Sequence, residues 1–167
     1  MTECDYQILD CLIDSRIKGI MISFVEDSNV IKNLREFIWS KYKREVTVYS
    51  KIETELGIEN LEKIEEVSDY VVLGRGDLLI TSGEEKFPVL QEKFLAKVLN
   101  KERAIIATGI ARSIGKGYYM DKGELSFLYH IVKLGYTNVL LTGETAALEN
   151  PIHVYDKISQ LITSYSL

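Results

Sequence analysis

Two kinds of apolar segment alternate along the chain. Short, uninterrupted apolar runs predict five β-strands, over residues 20–25, 46–52, 70–73, 104–108 and 139–142. Around them, apolar residues recur every three or four positions, which indicates amphipathic helices. Because strands that alternate with helices usually form βαβ units, the pattern predicts an α/β fold with a parallel βα repeat. We expect the first of these strands to be buried on both faces, since its run is apolar apart from Ser23.

The helical segments carry recognisable start and stop signals. Thr2 is a candidate cap for a first helix within the first fifteen residues, and we expect Gly19 to end it. Asp27 or Ser28 can cap the second helix. Further helices are predicted over 61–67, from Glu84 with Pro88 in the first turn, from Leu125 until Gly135, and from Pro151 onward. No linker rich in Pro, Gly or Ser interrupts this series, so residues 1–167 are interpreted as a single domain.

Composition narrows the class of protein. The 167 residues carry a net charge of −5 with scattered Lys and Arg, which argues against nucleic acid as a partner. No apolar run approaches the ~20 residues that cross a bilayer, so no membrane association is expected. Cys4 and Cys11 do not make a disulfide framework, and the start of the chain is acidic where a signal peptide is basic. We therefore expect a reduced, cytoplasmic protein.

Polar residues cluster where the predicted strands finish. The carboxyl ends of parallel strands meet at one edge of the sheet, where α/β proteins bind their ligands. We therefore expect a ligand site there, built from Ser23, Lys51, Glu53, Asp77, Thr108, Thr142 and Glu144.

Two of these residues suggest a metal. Glu53 and Asp77 provide hard oxygen ligands suited to Mg²⁺ or Mn²⁺. We expect Lys51 to share their pocket only if its strand is locally twisted. The alternative, that the two carboxylates no longer bind a metal, stays open at this stage.

Several short motifs, in order along the chain, resemble those of the pyruvate kinase family. These are SKIE at 50–53, RGDL at 75–78, AT at 107–108 and TGETA at 142–146. The resemblance spans nearly the whole chain and corresponds to units four to eight of that family's TIM (β/α)8 barrel. It implies a partial barrel of about five strands.

The resemblance also implies roles for individual residues. Glu53 and Asp77 would be the divalent metal ligands, and Lys51 the cation beside the phosphoryl group and the developing enolate. Positive charge fixed at an enolate oxygen is a strong source of rate enhancement. The implied substrate is pyruvate or phosphoenolpyruvate and the implied cofactor is Mg²⁺ or Mn²⁺.

The resemblance also implies which residues bind this substrate and which deliver a proton to it. The amides of Gly76 and Asp77 would hold its carboxylate. Thr108 would lie near its methylene carbon, with Glu144 behind it on the route of proton delivery.

The chain also departs from the family pattern. These 167 residues include neither the first three barrel units, with their monovalent-cation ligands and phosphate-handling arginines, nor the lid or the C-terminal domain. Gly109 and Ile110 stand where the family usually has Gln-Met, and Leu79 replaces a glycine. We therefore expect a truncated or split form that needs a partner for phosphoryl transfer.

Three functional hypotheses remain open. The first is a pyruvate kinase-like protein that binds a divalent metal and an enolpyruvate or 2-oxo acid. The second is a metal-dependent lyase or enolising enzyme acting on a 2-oxo acid. The third is a non-catalytic oligomeric scaffold that kept the fold. A five-stranded sheet leaves two edges to cover, so we expect a homo-oligomer or a complex with a chain that supplies the missing units.

Overall fold

The computed structural model describes residues 2–12, 17–107, 113 and 119–167. The strands are β1 (Gly19–Ile22), β2 (Thr47–Ile52), β3 (Tyr70–Gly74), β4 (Ala104–Ala107) and β5 (Val139–Leu140). The helices are α1 (Glu3–Leu12), α2 (Ser28–Tyr42), α3 (Glu55–Glu59), α4 (Leu61–Val67), α5 (Arg75–Lys97), α6 (Lys122–Lys133), α7 (Gly143–Ala146) and α8 (Pro151–Ser166). A 3₁₀ turn, Lys101–Arg103, precedes β4.

The five strands form one sheet in the order β1-β2-β3-β4-β5, and every pairing is parallel. This arrangement confirms the α/β fold with a parallel βα repeat. Neighbours in sequence are neighbours in the sheet, so the carboxyl ends of all the strands lie at the same edge. Within the described residues, no helix has the length and apolar character needed to cross a membrane.

One face of the sheet is buried beneath helices. Alternate residues of β2 point into this core, and Val48 and Ile52 are fully buried. The helices contribute fully or almost fully buried side chains, namely Ile31, Leu34, Ile38, Ile64, Phe94, Leu95, Leu128 and Ile131. Each such side chain contributes about 1.5–3 kcal/mol by leaving water, so this face supplies most of the driving force for folding.

The opposite face, which we call the open face, is only partly covered. Met21, Tyr49 and Tyr70 are aligned across β1, β2 and β3, and the two tyrosine rings stack with centroids 4.9 Å apart. Met21 is 44% exposed. The prediction that the first strand is buried on both faces is therefore wrong, because Met21 lies on the open face, which the described residues cover only in part.

The role predicted for Gly19 is also wrong. Helix α1 ends at Leu12, and Gly19 is instead the first residue of β1. A Cβ at Gly19 would lie 2.9 Å from Tyr49 Cε2 and 3.2 Å from the Thr47 carbonyl oxygen. The glycine is therefore explained by close packing against β2 rather than by a helix end.

Other start and stop signals are confirmed. The Asp27 carboxylate caps α2 by accepting from the Asn29 N–H at 3.0 Å. The stop predicted at Gly135 is also confirmed. Helix α6 ends at Lys133, and Gly135 follows with φ 93°. The Tyr136 N–H then reaches back to the Ile131 carbonyl, which is the Schellman pattern expected at such a glycine.

Helix α5 is broken at Gly83, whose φ of 78° and ψ of 167° are not helical. The arm after the break is the helix predicted from Glu84, and it buries Leu90, Phe94 and Leu95. The arm before it, residues 75–82, follows β3 directly and was not predicted as helix. This first arm positions part of the candidate site described below.

Tyr136 joins α5 to the loop that follows α6. Its ring is fully buried, and its hydroxyl donates to the Leu95 carbonyl at 2.7 Å. In a continued helix the Leu99 N–H would serve that carbonyl, but it donates to Glu65 Oε2 instead. Burial, with the Glu65 charge, raises the pKa of Tyr136 to about 12, so the phenol remains a donor.

Replacement of Tyr136 by Phe should therefore destabilise the protein. The Leu95 carbonyl would lose its partner while staying buried, and we expect a loss of about 1–3 kcal/mol in the free energy of unfolding. Urea titration followed by circular dichroism measures this loss. Tyr155→Phe, at a position 63% exposed, is the matched control and should change stability by less than about 0.5 kcal/mol. Equal stability of the two variants would contradict this role for the hydroxyl.

Candidate functional site

The centre of the candidate site is the Glu53 carboxylate, directly after β2. Glu53 is 0% exposed. Its Oε2 accepts a hydrogen bond from the Phe24 N–H at 2.9 Å. Its Oε1 lies 2.5 Å from Lys51 Nζ and has no hydrogen-bond partner of good geometry within the described part of the chain. A buried carboxylate is costly unless its charge is balanced, so this ion pair is essential to the local structure.

Phe24 supplies its amide through an unusual backbone conformation. Its φ is 54°, in the left-handed region that residues other than glycine rarely adopt, at a cost of about 1–3 kcal/mol. The next residue returns to the sheet, since the Val25 N–H donates to the Lys51 carbonyl at 3.0 Å. Sequence reasoning assigned no role to Phe24, because the contact uses its backbone rather than its side chain.

Gly74, the last residue of β3, lies against the same carboxylate. A Cβ added there would be 2.5 Å from both Cγ and Oε1 of Glu53. A side chain at this position would therefore occupy the space that the carboxylate fills. The close approach explains a glycine at the end of this strand.

Asp77 enters from the first arm of α5, just after β3. Its Oδ2 lies 4.0 Å from Lys51 Nζ, and its side chain is 47% exposed, unlike that of Glu53. The arm is tied to β2 by Thr81, whose hydroxyl donates to the Glu53 carbonyl at 2.6 Å. The two carboxylates predicted at the ends of neighbouring strands are thus brought to one ammonium group.

Lys51 lies between the two carboxylates without a distorted strand. The prediction that it would need a local twist is wrong, since residues two apart on a strand project from the same face and Glu53 is two positions after Lys51. Lys51 Nζ also donates to Ser23 Oγ at 3.3 Å. Ser23, Lys51, Glu53 and Asp77 therefore form one cluster, as their positions at strand ends predicted.

Gly76 presents backbone rather than a side chain. It belongs to the first turn of α5, where N–H groups have no partner within the helix and the helix dipole favours negative charge. Apart from its chain neighbours and the backbone of its own helix, no atom of the described residues lies within 4 Å of where a Cβ would be. The Gly76 and Asp77 amides are therefore suited to an anionic ligand beside Lys51.

Arg75 is adjacent in sequence but its side chain packs away from Lys51. Its Nε donates to Gln91 Oε1 at 2.7 Å, and its guanidinium carbon lies 3.8 Å from the centroid of the Phe127 ring. Burial lowers the pKa of Arg75 from its ordinary value. These contacts anchor the first arm of α5 to its second arm and to α6.

The donor set fits a divalent cation that keeps water or ligand oxygens in its other positions. Glu53 Oε1 is a buried acceptor without a hydrogen bond, and Asp77 offers a second, accessible carboxylate. Among the described residues, no group of three or more His, Cys, Asp or Glu side chains could share a metal. Two carboxylates match the way Mg²⁺ is usually held, with one or two protein ligands and the rest from water or substrate.

Not every predicted residue falls in this cluster. Thr108 lies outside the described residues, and so does the side chain of Glu144, whose backbone belongs to α7. The Thr142 hydroxyl lies 3.4 Å from Thr145 Oγ1. In the described part of the chain, no hydrogen bond or ion pair joins Thr142 to Lys51. The proton-delivery roles of Thr108 and Glu144 thus stay predictions.

Substitution of Gly74 tests the packing of the site. Gly74→Ala should destabilise the protein by about 1–3 kcal/mol, because the new methyl group displaces a buried, ion-paired carboxylate. Gly76→Ala is the matched control two residues away, where a Cβ meets open space, and should alter stability by less than about 1 kcal/mol. Thermal and urea unfolding of both variants give the comparison, and equal effects would show that Glu53 is not constrained by Gly74.

Comparison with known proteins shows the family of this chain. The family model "Pyruvate kinase, barrel domain" matches residues 1–154. Pyruvate kinase of Chlamydia trachomatis is 29% identical over 164 residues, which are 97% of this chain and 34% of the relative. Pyruvate kinase of Staphylococcus aureus is 33% identical over 149 residues, 88% of this chain and 25% of the relative. The chain thus spans a quarter to a third of the length of these curated relatives.

The solved structures agree. The crystal structure of a pyruvate kinase from Cryptosporidium parvum matches 99% of this chain and 35% of its own, with a TM-score of 0.85 and 25% sequence identity. Its match extends over all five strands, so the parallel sheet is part of a TIM-type barrel. The chain therefore belongs to the pyruvate kinase family, and its fold is a five-stranded portion of that family's barrel domain.

Proposed function

We propose that the cluster around Lys51 binds a divalent metal ion together with pyruvate or phosphoenolpyruvate, and so acts as the metal and enolate half of a pyruvate kinase-like site. The observation that carries the proposal is Glu53 Oε1, a fully buried carboxylate oxygen that has no hydrogen-bond partner among the described residues and lies 2.5 Å from an ammonium group. Such an oxygen is suited to cation binding.

Glu53 and Asp77 would hold Mg²⁺ or Mn²⁺. When bound, the metal would supply Lewis-acid polarisation of the carbonyl or enolate oxygen. The two carboxylates differ in how firmly the surrounding structure holds them. Glu53 is fixed by burial and by the Phe24 amide, whereas Asp77 is half-exposed and can adapt as a ligand enters.

Lys51 would stabilise the negative charge that develops on the enolate oxygen. Its side chain is only 21% exposed, so its charge acts where water is largely excluded. The amides of Gly76 and Asp77, at the positive end of the first arm of α5, would hold the ligand carboxylate. Thr108 and Glu144 would deliver the proton at the methylene carbon.

Phosphoryl transfer would need parts of the barrel beyond these residues. Within the described residues, β1 and β5 each pair with a single strand, so each leaves one edge of the sheet open. A groove of about 620 Å³ lies between α1 and β1, and another of about 550 Å³ lies between α8, the open face and β5. Three further strands would bring the total to the eight of a TIM barrel, whereas a second copy would bring it to ten. We therefore favour additional barrel units over homodimerisation as the cover for these edges.

The binding function is tested by calorimetric titration with Mn²⁺ and oxalate, a mimic of enolpyruvate. Asp77→Asn should weaken Mn²⁺ binding at least tenfold and abolish Mn²⁺-dependent oxalate binding, because one of two carboxylate ligands loses its charge. Asp156→Asn, on the exposed side of α8, is the matched control and should bind as the natural chain does. No heat with either the natural chain or the control would overturn the proposal.

The enolate chemistry is tested separately by proton exchange. In D₂O, the natural chain with Mg²⁺ should exchange the methyl protons of pyruvate, and the signal lost in proton NMR gives the rate. Asp77→Asn should reduce this rate to that of the buffer. Intact oxalate binding without exchange would show that the site binds the acid but does not enolise it.

A further inference from the structure

Lys51 lies beside both carboxylates that are proposed above to hold a metal ion. Its Nζ is 2.5 Å from Glu53 Oε1 and 4.0 Å from Asp77 Oδ2, so one ammonium group is within ion-pair distance of both proposed metal ligands. We propose that Lys51 is a resident cation that a divalent metal must displace from Glu53, and that it thereby couples metal binding to anion binding. This inference rests on the function proposed above.

Backbone from two neighbouring elements already lies against the Glu53 carboxylate. Oε2 is engaged by the Phe24 N–H at 2.9 Å. Oε1 lies close to Gly74, where a Cβ would be 2.5 Å from this oxygen. Lys51 Nζ occupies a further position, 2.5 Å from Oε1. Since Mg²⁺ binds carboxylate oxygens at about 2.0–2.1 Å, the metal and the ammonium group cannot share that position.

Charge balance gives the same result. A carboxylate that is 0% exposed requires a positive partner, and among the described residues Lys51 is the only one within ion-pair distance of Glu53. Once a divalent ion takes over this role, the ammonium group is repelled by the ion and released. Metal entry is therefore an exchange of a side-chain cation for a metal cation.

The released ammonium group already has a partner that is not a proposed metal ligand, since Ser23 Oγ is 3.3 Å from Nζ. The Gly76 and Asp77 amides, proposed above to hold the ligand carboxylate, belong to the first turn of α5. A bound anion would thus contact the ammonium group that the metal has freed. The metal should therefore strengthen anion binding in two ways, by its own contact with the anion and by the contact of the freed ammonium group.

The test measures Mn²⁺ affinity by electron paramagnetic resonance, without any turnover. Lys51→Met keeps the length of the side chain but removes the charge, and it should bind Mn²⁺ at least tenfold more tightly than the natural chain. Oxalate affinity is then compared with and without Mn²⁺. The factor by which Mn²⁺ raises this affinity should be at least tenfold smaller in Lys51→Met than in the natural chain. Lys51→Arg retains the charge and should not bind Mn²⁺ more tightly.

Lys86→Met is the control for a general change in net charge. Lys86 Nζ lies 2.6 Å from Glu55 Oε2 in an exposed ion pair. Its replacement by Met should leave the affinity for Mn²⁺ unchanged. Equal or weaker Mn²⁺ binding by Lys51→Met would overturn the inference while leaving the proposed function intact. Failure of the natural chain to bind Mn²⁺ would instead remove the proposed function, and this inference with it.

Folding of the Lys51→Met variant provides a second readout. Without metal its buried Glu53 has no counter-charge, so the variant should have a lower melting temperature than the natural chain. Mn²⁺ should raise that melting temperature by more than it raises that of the natural chain, because the metal replaces the missing ammonium group. A variant that stays unfolded in saturating Mn²⁺, while Lys51→Arg folds, would also contradict the exchange.

Discussion

The ion pair between Glu53 and Lys51 is the interaction on which the rest of the site depends. A fully buried carboxylate cannot persist alone, and three separate elements converge to hold it: Phe24 after β1, Lys51 in β2 and Gly74 at the end of β3. Each contribution requires something specific. Phe24 must adopt a left-handed backbone conformation, Lys51 must stand two residues before Glu53, and position 74 must lack a side chain. The end of β2 thereby connects the fold to the chemistry.

Much of the fold was predictable because its pattern is local. Five apolar runs, alternating with helical periodicity, are sufficient to specify parallel βα units, and the caps at Asp27 and Gly135 follow from short-range backbone chemistry. The exposed face of β1 was not predictable in this way. A largely apolar run is the pattern of a strand covered on both faces, and nothing local in it indicates whether a second layer packs on the sheet.

The site was predictable to a similar degree. The positions of Glu53 and Asp77 at strand ends were sufficient to bring them together, since strand ends in a parallel sheet meet at one edge. The direction of the Lys51 side chain was predicted wrongly, because it lies on the same side of the strand as Glu53. The contributions of Phe24 and Gly74 were not predictable, because one is a backbone amide and the other is the absence of an atom. Interactions of this kind leave no signature in residue type and become visible only once neighbouring strands are aligned.

The break at Gly83 divides α5 into two parts with different energetic roles. The second arm buries Leu90, Phe94 and Leu95 in the core, whereas Leu78 is the one buried hydrophobic residue of the first arm. Since the helical hydrogen-bond ladder is interrupted between them, the first arm depends for its position on side-chain contacts, such as that of the Thr81 hydroxyl with the Glu53 carbonyl. The two arms are thus held by different means, the second by apolar burial in the core and the first by polar contacts with the strand end that carries the site.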